Sequence, residues 1–105
     1  MSCIFCSIVA GDAPADIVFS NEEFLIFCAK PGYSKHHYLV VPKNHCDNFA
    51  VAEPDVFHKA IDLAKTFAKN KNIWPYVLSA NFGAPLQTIF HAHLHLCDKK
   101  SSESF

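Results

Sequence analysis

His91, His93 and His95 alternate with Ala92, Leu94 and Leu96 near the end of this 105-residue chain. A period of two is the pattern of an extended strand, in which side chains at i and i+2 project from one face about 6 to 7 Å apart. The segment from Phe90 to Cys97 therefore reads as a strand with an apolar side turned inward and three imidazoles on the other. Histidine is seldom a favoured packing residue, yet it serves as ligand, acid, base or nucleophile near neutral pH. Three of the seven histidines within five positions mark a site.

The remaining pattern supplies a sheet to hold that strand. Ile4, Phe5, Ile8 and Val9 have helical spacing, closed by Gly11 and Pro14, so residues 3 to 10 read as a short helix. Ile17–Phe19 and Phe24–Ala29 read as strands joined at Ser20-Asn21-Glu22, and Pro31-Gly32 stops the second. Tyr38–Val41 is a third, buried strand that ends at Pro42. Pro54 suits a first helical turn, and Phe57, Ala60, Ile61, Ala64, Phe67 and Ala68 then mark an amphipathic helix over 54 to 71. His58, Asp62, Lys65 and Lys69 fall on its solvated face. Pro75 leads into a strand near Tyr76–Ala80, and Asp98 to Phe105 reads as a polar, loose tail. Consecutive strands with one long helix inserted predict an α+β antiparallel sheet in a single domain over 1–105.

Charge narrows the partners. Nine basic residues are scattered against ten acidic ones for a net charge of −1, so the basic footprint of a nucleic-acid binder is missing. A single nucleotide needs only a local anion site. The longest apolar run, Phe24 to Ala29, is far short of the roughly 20 residues that cross a bilayer. Met1-Ser2-Cys3 lacks the basic and apolar regions of a secretory signal. The expected setting is the cytoplasm, with the nucleus as a second compartment, and no membrane partner.

Five cysteines without disulfide-framework spacing favour reduced thiols or a metal. Cys3-x-x-Cys6 has the spacing to grip one zinc ion, which wants four N or S ligands, and His45 and His91 are available to complete the set. Two partly buried free thiols, or a redox disulfide, are the other readings; the redox one wants a βαβ context, whereas this motif opens the chain. Cys28, Cys46 and Cys97 read as small hydrophobes. His36 should face away from His37 and carry no role.

Taken in order, these segments resemble the histidine-triad (HIT) family, and within it the Hint-like nucleoside phosphoramidase branch. The resemblance rests on Cys3-Ile4-Phe5-Cys6-Ser7-Ile8, on Gly11-Asp12-Ala13-Pro14-Ala15, on His37 through His45, and on Gln87-Thr88-Ile89-Phe90 leading into the histidines. It implies a five-stranded antiparallel sheet with one long and one short helix, assembled as a homodimer through the long helix and the sheet edge. The helix face bearing Phe57, Ile61 and Phe67 suits that packing and equally suits burial within one chain. The resemblance also implies reaction at the α-phosphate of a purine nucleotide or nucleotide conjugate. His93 would attack phosphorus and form a nucleotidyl-histidine that water later cleaves, and His95 would hydrogen-bond the phosphoryl oxygens. His37 would support the nucleophile, with Gln87 and Thr88 as donors near the leaving atom and Asn81 near the sugar-phosphate. Phe5, Ile8, Phe27 and Leu39 would line the base pocket, although plain core packing explains them as well. Cys3, Cys6, His45 and His91 would hold a structural zinc.

Two departures from the family pattern bear on specificity. Relatives usually carry an Asp after the second strand to bind both ribose hydroxyls; Ala29 stands there, and Phe24 to Cys46 holds no acid at all. Losing a charge-assisted acceptor for two hydroxyls costs about 2 to 3 kcal/mol, or roughly 30- to 150-fold in affinity. Nearby Lys30 would instead favour a more phosphorylated or differently shaped ligand. Leu86, preceded by Pro85, replaces the glycine often found before the Gln and stiffens that loop. A phosphoramidase is the leading function. A nucleotide- or partner-binding module with weak catalysis and a dinucleoside polyphosphate hydrolase are the alternatives.

Overall fold

The short helix at the start is fixed at both ends by its own sequence. The computed structural model describes residues 3–29 and 36–98, and α1 spans Ile4–Ala10 within it. Cys3 sits at the N-cap, its Sγ accepting from the Cys6 N–H at 3.4 Å. Gly11 closes the helix at φ +84, a left-handed conformation that glycine adopts without penalty. Strands β1 (Ile17–Ser20) and β2 (Phe24–Cys28) follow. In their turn the Asn21 side-chain oxygen accepts from the N–H groups of Glu23 and Phe24 at 2.9 and 2.7 Å. Strand β3 (His37–Pro42), helix α2 (Pro54–Asn70), and strands β4 (Val77–Ser79) and β5 (Leu94–Cys97) complete the order.

All pairings are antiparallel, in the order β1-β2-β3-β5-β4. The α+β architecture therefore matches the expectation, with five strands, one long helix and one short helix among the described residues. Alternation splits the apolar residues between two faces. Ile26, Val40, Leu94 and Leu96 pack with Ala60, Ala64, Phe67 and Ala68 of α2. The three alanines, each fully buried, let α2 lie close against the sheet. Leu25, Phe27, Leu39 and Val41 point the other way and pack with Phe5 and Ile8 of α1. The sheet is thus covered by one helix on each side.

The histidine strand is shorter than its sequence period predicts. Its ladder starts at Leu94, opposite Val40, so only His95 of the three lies in regular pairing. Upstream, the backbone finds other partners. The Ala92 N–H donates to the Cys46 carbonyl at 2.7 Å, and the His91 carbonyl accepts from a side chain at 2.8 Å. The alternation nonetheless persists: Ala92, Leu94 and Leu96 join the α2 core, while His91 and His93 approach Phe5 on the α1 side. Elsewhere the bounds move by a residue or two, with α2 ending at Asn70 and β4 confined to Val77–Ser79. The readings placed on Lys30, on Pro31-Gly32 and on the tail beyond Asp98 lie outside the described residues.

Candidate active site and metal centre

Four ligand atoms converge where α1 begins. Cys3 and Cys6 come from its first turn, His45 from the loop after β3, and His91 from the lead-in to β5; their ligand atoms lie within 4.8 Å of one another. Four of the six separations are 3.2 Å for His45 Nδ1–His91 Nδ1, 3.3 Å for Cys6 Sγ–His45 Nδ1, and 3.4 and 3.5 Å from His91 Nδ1 to the two sulfurs. A tetrahedron built on Zn–N of about 2.0 Å and Zn–S of about 2.3 Å has edges of roughly 3.3 to 3.8 Å.

The outer nitrogens agree with that geometry. His91 Nε2–H donates to the Pro42 carbonyl at 2.8 Å, and His45 Nε2 meets Asp47 Oδ1 at 3.3 Å. With both protons placed on Nε2, the two Nδ1 lone pairs face each other and need a cation between them. Outer partners of this kind fix the tautomer of a metal-bound histidine. The residues present therefore fit a structural zinc, and Asp47, absent from the sequence-derived set, belongs to its surroundings. An acid two residues beyond a ligand histidine was the signal for it.

The remaining histidines divide the other tasks. His93 Nδ1–H donates to the His91 carbonyl at 2.8 Å, which leaves the Nε2 lone pair of this half-buried ring available. Its ring stands edge-on to Phe5, 5.1 Å between centroids. His37 reaches His95, with Nε2 3.1 Å from His95 Nδ1. The expectation that His37 would brace His93 thus changes: in this register His37 holds the third histidine.

Burial, with His93 and His37 adding to it, pushes the His95 imidazole down to about 4, and burial lowers His37 as well. Protons then bind the unfolded chain more readily than the folded one. The stability due to an uncharged His95 is complete above about pH 6.5 and is lost as pH falls through about 4. Allowing for its partial exposure, denaturant titrations from pH 7 to pH 4.5 are expected to show about 2 kcal/mol lost through this ring. His95→Asn should flatten that part of the slope.

Phe5, Ile8, Phe27 and Leu39 are buried, yet they also line a cavity of about 570 Å³ that includes Ala29 and Ile89. Its wall is mostly apolar, with Asp16 as its one charged residue among the described residues. Gln87 departs from its expected role. It is 3% exposed, and its amide hydrogens go to the Asp47 carbonyl at 2.5 Å and the Ile89 carbonyl at 2.9 Å. Its oxygen accepts from the Gly83 N–H at 2.9 Å and from Asn48 Nδ2 at 3.3 Å. Both donors are spent inside the protein, so Gln87 ties together the loops around the site and has none left for a leaving atom. Thr88 is exposed on the wall of a second cavity of about 490 Å³ beside His45 and Asp47. Asn81 is exposed, two residues beyond β4. His36 stacks on Tyr38, and His58 is exposed beside Asp62, so neither joins the site.

Comparison with known proteins decides the family. A model described as "Scavenger mRNA decapping enzyme C-term binding" matches residues 2–105. An uncharacterized HIT-like protein of Saccharolobus solfataricus is 34% identical over 102 residues, covering 90% of this chain and 71% of that one. This chain belongs to the HIT family. Within the family it is 33% identical over 104 residues to the adenosine 5'-monophosphoramidase of Schizosaccharomyces pombe, covering 98% of this chain and 78% of that protein. Among solved HIT structures, a histidine triad protein from Clostridium difficile superposes with a TM-score of 0.89 at 28% identity, over 100% of this chain and 96% of the other. A Zn-bound histidine triad family protein from Mycobacterium smegmatis does so with a TM-score of 0.85 at 30% identity, over 98% and 78%. Among the described residues, no helix is long and apolar enough to cross a membrane.

Proposed function

We propose that this chain is a purine nucleoside phosphoramidase that works through a nucleotidyl intermediate on His93. The observation carrying this reading is the 2.8 Å hydrogen bond from His93 Nδ1–H to the His91 carbonyl. In the uncharged ring it holds the proton on Nδ1 and leaves the lone pair on Nε2. Attack by that nitrogen forms a P–N bond to His93 and breaks the P–N bond to the leaving group. The electron pair departs with the leaving nitrogen, which takes a proton from solvent. Water then attacks phosphorus, releasing a nucleoside monophosphate and restoring the imidazole, with one proton returned to solvent. Covalent catalysis of this kind divides one difficult displacement into two easier ones.

His95 supplies charge stabilisation. With His37 Nε2–H donating to His95 Nδ1, the proton of His95 stays on Nε2 and is free to reach a phosphoryl oxygen. Its lowered basicity keeps it neutral at working pH, so it offers one oriented donor. The mostly apolar cavity takes the flat base, with Asn81 toward the sugar-phosphate. Ala29 supplies no carboxylate for ribose, and Asp16 is the acid that the same cavity wall offers. The phosphoramidase activity named for the Schizosaccharomyces pombe relative supports this choice. A structural zinc on Cys3, Cys6, His45 and His91 is supported by their geometry and by the zinc-bound Mycobacterium smegmatis relative. No disulfide joins the described cysteines, which suits the reducing cytoplasm.

A homodimer belongs to the same proposal. Strand β4 is a sheet edge, and Trp74 nearby is 83% exposed, leaving a surface for a second copy. Sedimentation equilibrium should report twice the chain mass; a monomer at micromolar concentration removes this element. The catalytic reading is tested by acid-quenched single turnover of an adenosine 5'-phosphoramidate labelled in the nucleotide. The label is expected on His93 by peptide mapping. Product formed at full rate with no labelled histidine at any time would overturn it.

A further inference from the structure

We propose that the cavity beside His45 and Thr88 receives the leaving group, and that Asp47 makes it selective for an amine carrying a second positive charge. This rests on the phosphoramidase reading above. Ile4 and Ile89 line both this cavity and the mostly apolar one, so the two lie side by side with those chains as the partition. In a displacement at phosphorus the entering and departing atoms stand roughly in line. A nucleotide whose base occupies the mostly apolar cavity, next to the Phe5 ring that abuts His93, needs a separate place for the departing fragment. The second cavity offers one, with the Thr88 hydroxyl in its wall.

The two cavities differ in chemistry. The first is mostly apolar and suits a planar base, with Asp16 also in its wall. The other carries the Asp47 carboxylate, with a side chain 65% exposed, and the Phe90 ring, with that residue 45% exposed. Asp47 gives one oxygen, Oδ1, to His45 and keeps acceptor capacity for a ligand. No lysine lines this cavity among the described residues. A carboxylate attracts a cation and repels an anion, and an aromatic face adds to the attraction. The same arrangement turns away a polyphosphate leaving group, which brings negative charge to Asp47. It therefore separates phosphoramidates from dinucleoside polyphosphates as substrates.

The test uses three adenosine 5'-phosphoramidates with leaving amines of matched length: 1,4-diaminobutane, butylamine and 4-aminobutyrate. Intrinsic leaving ability differs among them, so the readout is the ratio of kcat/KM for the cationic and anionic tails, compared between proteins. The ratio is expected to be about tenfold higher in the parent than in Asp47→Asn at low ionic strength. Asparagine keeps an acceptor for His45 and removes only the charge. Asp62→Asn, which deletes the same charge from the exposed face of α2, should keep the parent ratio. The parent alone gives a second measure, because its ratio should fall as salt is raised to about 0.5 M. A ratio that is unchanged in Asp47→Asn, shifts equally in Asp62→Asn, or ignores salt overturns the assignment. Hydrolysis of all three tails without discrimination would overturn it while leaving the phosphoramidase reading standing. Inertness of the parent toward all three would overturn both.

Discussion

Replacing His93 with alanine is expected to lower the hydrolysis of an adenosine 5'-phosphoramidate by about 10⁴-fold or more in kcat/KM. The loss should lie mostly in kcat, because the base cavity of Phe5, Ile8, Phe27 and Leu39 remains. Calorimetry with the monophosphate product should still register binding to the variant, and single turnover should yield no labelled protein. Replacement of His95 should cost less, about 10²- to 10³-fold, because it removes one oriented donor and leaves the nucleophile in place. A His93→Ala protein that turned over at the parent rate would end the proposal of a covalent intermediate.

The second large effect is expected on removing the metal. Elemental analysis of freshly purified protein should find one zinc per chain. Chelation at pH 7 should then lower stability by about 3 kcal/mol, or roughly 12 to 24 °C in Tm for a domain of this size. The physical reason lies in the ligand set. Burial pushes the Cys6 thiol up, with Cys3 adding to the effect, so without a cation the Cys6 sulfur stays protonated and two imidazole nitrogens face each other 3.2 Å apart. A bound dication reverses that preference and is coupled to proton release. Cys6→Ser should reproduce the chelated state. Because the His91 ring would be a ligand in that site and its carbonyl holds His93, stripped protein should lose more in kcat than in KM. Metal-free protein with the parent melting temperature would remove the four-ligand site.

Much of this molecule is legible in its sequence, for identifiable reasons. The apolar periods of β2, β3 and α2 are long, and caps such as Asn21 and Gly11 announce themselves, so the elements fall within a residue or two of expectation. The convergence of Cys3, Cys6, His45 and His91 is legible because the pattern is specific: two thiols at CxxC spacing and two histidines at strand ends. What escaped depended on where hydrogen bonds go. The period of two could not tell that Ala92 would donate to Cys46, which shortens β5 to four residues. The donors of Gln87 look available in the sequence, and only the fold reveals that two backbone carbonyls consume them. His37 lies two strand positions from Leu39, the residue paired with His95, and that register sends it to His95.

The two sides of the sheet serve separate ends. One carries the packed interior beneath α2, the other a smaller packed cluster and the proposed reacting groups beside α1, and neighbouring positions on a strand belong to opposite sides. Substituting a histidine on the α1 side therefore leaves the side chains interlocked beneath α2 undisturbed. Such a chain is free to exchange one ligand preference for another, as an alanine standing where a sugar-binding acid is customary suggests, without risking its capacity to fold.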